Sequence, residues 1–288
     1  MAAAALGALL GPVLTGCGSD APSQGIGTAP AAPGPRHDRP STSPSPSVKA
    51  PPVDRKPAAA AQGPAGRMPV FERAHGTLDK VVALTFDADM TADEGPRADA
   101  GEHFDNPELI ALLRLLKVPA TVFMTGRWAD EYPSQAQSIG TDPLFEIAGH
   151  SYSHHAFASP CYGLPVVDRA DMREEVERAF TAIRRTGALH VVRYFRFPGG
   201  CYDDAALRIL AAERMTAVQW DVISGDAFAQ DADAVAEQVL DGVRPGSLVV
   251  MHCTRSAAPV TGEAVRRVVP ELRSRGYRFV KVSELMGL

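Results

Sequence analysis

The stretch VVALTFDADM, residues 81–90, runs apolar side chains and a Thr-Phe pair straight into two carboxylates. A continuous apolar run of this length suits a strand covered on both faces. Polar groups packed inside such a strand cost free energy unless they are paired, so Asp87 and Asp89 are expected where the strand stops. Taken alone, they read equally well as turn or helix-capping carboxylates, a role Asp favours on its own account.

Working outward, further strand candidates lie at residues 120–125, 194–197, 216–222, 247–251 and 277–280. Helical patterns separate them. Asn106-Pro107-Glu108 supplies a cap, a first-turn Pro and an acid ahead of Leu109, Ile110, Leu112, Leu113 and Leu116. Met172, Val176, Ala179, Phe180 and Ile183 share one face of a helix over 171–185 that Gly187 stops. Helices are also expected over 203–214, 231–241 and 261–275. This alternation implies an α/β fold with a parallel sheet, open or closed into a barrel. The polar candidates gather mainly at strand C-terminal ends: the acids after the first strand, Arg196 within the third, Asp226 beyond Val222 and His252 after Met251. In parallel sheets that edge is where active sites assemble.

The sharpest local signal is Gly149-His150-Ser151-Tyr152-Ser153-His154-His155. Two His four apart meet on one helix face or converge in a tight turn, and imidazole is a frequent zinc ligand. A catalytic metal site also needs a third ligand, which Asp87 or Asp89 could supply, leaving the other acid to act as a base.

Five stretches together resemble the polysaccharide deacetylase family, carbohydrate esterase family 4, over roughly residues 80–288. They are Thr85-Phe86-Asp87-Ala88-Asp89, His150 to His154, Arg196-Phe197-Pro198-Gly199-Gly200, Trp220 to Asp226, and Leu248 to His252. The resemblance implies a distorted (β/α) barrel and metal-dependent removal of acetyl groups from sugars. It implies Asp87 as general base, Asp89, His150 and His154 as ligands of one divalent metal, and His252 as general acid. Arg196, held by Asp226, would orient Asp87, and the Gly199 N–H would help hold the oxyanion. Zinc is the first expectation for a mixed His and Asp set. Three departures stand out: Ala88 separates acids that are usually adjacent, Gly199 stands where an aromatic is common, and Ala227 stands where Trp often follows the acid. The last two would remove walls on which a sugar ring rests.

Between Met1 and Thr15 the chain is Ala, Leu, Gly and Val with a single Pro, too short for a spanning helix and suited to an export signal. Leu14-Thr15-Gly16-Cys17 resembles a lipobox, which implies lipidation at Cys17. Residues 18–69 hold half of the 24 prolines and almost no large apolar side chain, a composition that cannot offset its ordering entropy and reads as a disordered tether. The catalytic domain is expected over 70–288. The tether carries a net charge of +3, leaving −8 for the rest of the −5 chain. An acidic folded part argues against nucleic acid as a partner.

Three further cysteines in an exported chain suggest one disulfide and one free thiol. The helix over 171–185 returns the chain from the loop holding Cys161 to the strand preceding Cys201, so these two are expected to pair and leave Cys253 free. The resulting expectation is a monomeric, lipid-anchored enzyme on the outer face of the bacterial membrane, or a secreted one, that N-deacetylates peptidoglycan or a chitin-like polymer. O-deacetylation of acetylated xylan-like chains, and a catalytically silent wall-binding lipoprotein, are the alternatives.

Overall fold

The computed structural model describes residues 69–77 and 79–287. The expectations for the signal segment, for Cys17 and for nearly all of the tether fall outside these residues. The strands are β1 (Val70–Phe71), β2 (Val81–Ala88), β3 (Ala120–Met124), β4 (Phe145–Gly149), β5 (Val191–Phe195), β6 (Thr216–Val218), β7 (Val222–Ile223), β8 (Ser247–His252) and β9 (Arg278–Phe279). The helices are α1 (Gly95–Asp99), α2 (Pro107–Leu115), α3 (Gly126–Glu131), α4 (Pro133–Gly140), α5 (Met172–Arg185), α6 (Asp204–Ala212), α7 (Ala232–Gly242), α8 (Thr261–Ser274) and α9 (Val282–Leu285).

All strand pairs are parallel, in the order β1-β6-β5-β4-β3-β2-β8-β7 with β9 beside β2. The sheet curls into a distorted, incompletely closed (β/α) barrel, as the family resemblance implied. Strand β2 lies inside it between β3 and β8 and is buried along its whole length. Side chains alternate across a strand: Val82, Leu84, Phe86 and Ala88 enter the core shared with α2, α3 and α8, while Val81 and Ala83 join Phe123, Ala148, Tyr194 and Leu248 in a separate cluster. Thr85 and Asp87 continue that second row. Deleting a fully buried ring such as Phe86 costs roughly 3–5 kcal/mol, so the strand that carries the acids is firmly held.

Several expectations about elements need correction. Strand β4 was not anticipated, because Glu146 breaks its apolar run; the Glu146 carboxylate is buried, accepting from Thr121 Oγ1 at 2.8 Å and from the Ser283 N–H at 3.0 Å. The single strand expected over 216–222 is two, with β6 pairing β5 and β7 pairing β8. Between them the Asp221 carboxylate accepts from the Leu248 N–H at 2.7 Å and from Ser247 Oγ at 2.9 Å, which turns the chain from one neighbour to the next. Arg196 lies just past β5 rather than within a strand, ahead of the Pro198–Gly200 turn. Helices α3 and α4 were also missed: they are short and weakly patterned, set by the Thr125 cap, which accepts from the Trp128 N–H, and by Pro133 at the first turn.

Candidate active site

Asp87 is the penultimate residue of β2 and Asp89 follows its end, so their side chains leave the same face of the chain. Asp87 is buried. One carboxylate oxygen, Oδ1, accepts from Arg196 Nη1 at 2.6 Å, and the other, Oδ2, lies 3.6 Å from His150 Nε2. Asp89 is a partial counterpart: its Oδ2 lies 3.5 Å from His154 Nε2, while its Oδ1 accepts from the Thr254 hydroxyl. Burial opposes ionisation of Asp89, yet His154, His252 and the Thr254 hydroxyl outweigh it and hold the carboxyl below its usual range.

The two histidines do not sit on a helix. They close a tight turn after β4, in which Ser151 and His154 take left-handed φ of 64° and 61°. Glu175 of α5 holds this turn, its Oε2 accepting from the N–H groups of Tyr152 (3.1 Å) and Ser153 (3.0 Å) and from Ser153 Oγ (2.9 Å). The first amides of α3 add to the grip: Gly126 and Arg127 donate to the carbonyls of Ser151 and Tyr152. His150 Nδ1 donates to the Arg196 carbonyl at 2.9 Å, an arrangement that leaves the Nε2 lone pair facing Asp87. Burial drives the His150 pKa down to about 4, so its imidazole is neutral at physiological pH, the form a metal requires.

Arg196 is wholly buried. Its guanidinium also donates to Thr85 Oγ1 (2.8 Å) and the Gln219 carbonyl (3.3 Å), and it lies 3.9 Å from the centre of the Phe123 ring. The expected link to Asp226 is therefore corrected. Asp226 instead serves His252, accepting from its N–H at 2.7 Å and its Nδ1 at 2.8 Å, with Ser224 Oγ and Thr261 Oγ1 also donating to its carboxylate. Sheet order is the reason: β7, which precedes Asp226, borders β8, which ends in His252, whereas β5 lies four strands along the path from β8's other side. Burial would lower the His252 pKa, but the Asp226 carboxylate overrides it and raises the value to about 10. The ring is thus a cation near neutral pH, and Asp226 holds it through Nδ1 rather than Nε2.

Glu175, Thr254 and Thr261 were not singled out from the sequence. An isolated hydroxyl or helix-surface acid carries no spacing signal, and only the fold reveals what it holds. Gly199, in contrast, lies where the motif suggested, in the turn after Arg196 with φ of 61°. The structure pairs Cys161 with Cys201, and Cys253 is the free cysteine among the described residues, buried beside His252 with its thiol pushed up to about 12 by burial.

Among the described residues no three His, Cys, Asp or Glu side chains already converge as a metal cage. The donor chemistry nevertheless suits one. Donors around a tetrahedral zinc stand roughly 3.3–3.6 Å apart given its usual bond lengths, and the His154–Asp89 separation of 3.5 Å falls there. Asp89 and His154 open onto a cavity of about 270 Å³, also lined by Arg97, Leu164, Phe228 and Ser256.

Comparison with known proteins agrees with this geometry. The chain is 29% identical to a chitooligosaccharide deacetylase of Sinorhizobium fredii over 198 residues, covering 65% of this chain and 86% of that one. It is 25% identical to a peptidoglycan-N-acetylglucosamine deacetylase of Bacillus cereus, covering 71% and 67% respectively. A solved CE4 family pseudoenzyme from Bacillus anthracis superposes with a TM-score of 0.60 at 25% identity, covering 75% of this chain and 68% of that one. Residues 74–218 match the polysaccharide deacetylase family, which includes the β2 acids, the histidine turn and the Arg196 motif, and the chain belongs to that family.

Proposed function

We propose that the protein is a metal-dependent hydrolase that removes N-acetyl groups from an N-acetylglucosamine polymer of the cell envelope, peptidoglycan or a chitin-like chain. The observation that carries this reading is the gathering, at one end of the barrel, of two carboxylates each facing an imidazole, beside a third imidazole kept protonated by Asp226. The names of the two deacetylase relatives support the substrate class.

Asp89, His150 and His154 would hold one divalent ion, with zinc the first choice for such donors. When bound, that ion supplies Lewis acidity to the attacking water and to the acetyl oxygen. Asp87 takes the water's proton at Oδ2, the oxygen that Arg196 leaves free, and the guanidinium fixes this carboxylate in direction. His252 gives its Nε2 proton to the departing nitrogen, the Asp226 contact at Nδ1 having set both its charge and its orientation. The Gly199 N–H contributes to the oxyanion's hydrogen bonds. The protein acts as a monomer, exported and tethered to the outer membrane face through Cys17.

Similarity to a pseudoenzyme keeps a silent wall-binding role as the second reading, and retention of every acid and histidine in facing positions favours catalysis over it. Acetate release from peptidoglycan, chitin oligomers and acetylxylan decides between them. The expected result is release from the N-acetylated substrates, lost on chelation and regained on adding metal. Full activity in a metal-stripped sample refutes the mechanism, and no release from any substrate by the metal-loaded protein leaves the silent reading.

A further inference from the structure

Gly199 and Ala227 lack the side chains that would wall a sugar groove, yet the structure puts other apolar surface there. Tyr162 and Phe228 are the two most exposed large apolar side chains among the described residues, at 91% and 80%. Both have positive φ, 47° and 61°, a conformation disfavoured for bulky residues and one that persists mainly where function demands it. Tyr162 and Gly163 form the centre of a turn closed by the Leu164 N–H donating to the Cys161 carbonyl at 2.8 Å. Asn or Gly would suit the Tyr162 position better. A Cβ on Gly199 would lie 2.6 Å from Cys161 Sγ and 3.3 Å from the Tyr162 ring, so this turn fills the space that a side chain at 199 would need. The Cys161–Cys201 bridge ties it there. Leu164 from the same turn, and Phe228, line the cavity that holds Asp89 and His154.

We propose that the disulfide-tied turn at 161–164 and Phe228 form the sugar-binding walls of this site, with the rings of Tyr162 and Phe228 as platforms for the apolar C–H faces of pyranose units. Bare aromatic faces gain nothing from solvent exposure, whereas a sugar ring laid on them buries apolar area and leaves its hydroxyls in water. The proposal rests on the glycan-deacetylase reading. It adds that the walls come from a loop held by a disulfide, so substrate affinity depends on that bond.

The test is the affinity of metal-loaded protein for the tetramer of N-acetylglucosamine, measured calorimetrically in an Asp87→Asn background so that the probe persists. Tyr162→Ala and Phe228→Ala should each raise Kd about fivefold to tenfold, while Tyr162→Phe should restore the wild-type value. Ile223→Ala, at an exposed apolar residue outside the cavity, should leave it unaltered. Replacing Cys161 and Cys201 together with Ser should weaken binding as much as Tyr162→Ala, and combining these changes should add little, since both remove one platform. Unchanged affinity in both alanine variants, or no measurable affinity in the parent, overturns the proposal. Acetate release by the wild type is scored separately: tetramer binding that depends on these rings without acetate release upholds the platforms and overturns the deacetylase reading.

Discussion

At the residue scale the two acids divide their partners. Asp87 has one oxygen committed to Arg196 and Asp89 has one committed to Thr254, so each offers a single oxygen to an imidazole. The inserted Ala88 spaces them by two, which puts both side chains on one face and makes their roles testable by substitution. Asp87→Asn should cut turnover by roughly 100-fold or more with metal still bound, whereas Asp89→Asn should first weaken metal affinity; metal content of the purified variants is the measurement, and loss in Asp87→Asn alone would reverse the assignment. His252 provides a second check. Its pKa, raised to about 10 from the ordinary 6.5, means that the charged pair with Asp226 contributes its full stability below about pH 6.5 and loses it as pH rises through about 10. Asp226→Asn removes the anion that sustains the cation, so the alkaline limb of kcat/KM should move to lower pH by a unit or more. A limb that stays in place would show that another group controls it.

At the element scale the metal-ligand candidates depend on a turn that cannot hold itself. Two left-handed residues shape it, and Glu175 from α5 satisfies two of its N–H groups and the Ser153 hydroxyl. Removing a half-buried acceptor that serves three donors costs about 1–3 kcal/mol, and losing the outer partners of metal ligands commonly costs 10- to 100-fold in metal affinity. Glu175→Ala should therefore weaken metal binding at least tenfold and lower the melting temperature by several degrees, as read by metal titration and thermal unfolding. A variant with unaltered metal affinity would mean that α3 alone positions the turn. The Cys161–Cys201 bridge, closing a separation of 40 residues, is worth roughly 3–4 kcal/mol in the chain-entropy view. It joins the loop after the histidine turn to the turn after Arg196 and so ties two parts of the site together.

At the scale of the whole molecule, the catalytic domain and its attachment are separate questions. If Cys17 is lipidated, the full chain should partition into detergent and Cys17→Ala should shift it to the aqueous phase; a wild-type protein found wholly in the aqueous phase, with an N-terminus other than Cys17, refutes the anchor. Within the domain, local chemistry was legible directly. The apolar run of β2, the Asn106 cap, the amphipathic α5 and the acid and histidine motifs all act through neighbours in sequence, so length, periodicity and spacing reveal them. Strand β4 was hidden because Glu146 contradicts a buried strand until Thr121 and Ser283 are known to face it. The partner of Asp226 was hidden for a related reason: a carboxylate takes whichever donor the sheet order brings beside it, and β7 lies against β8. By itself the sequence determined the parallel α/β plan, the residue types of the site and the strand ends that carry them. Only the tertiary structure decided which carboxylate meets which cation and what surface walls the cavity, because those contacts join residues up to 109 positions apart and are set by strand order rather than by spacing.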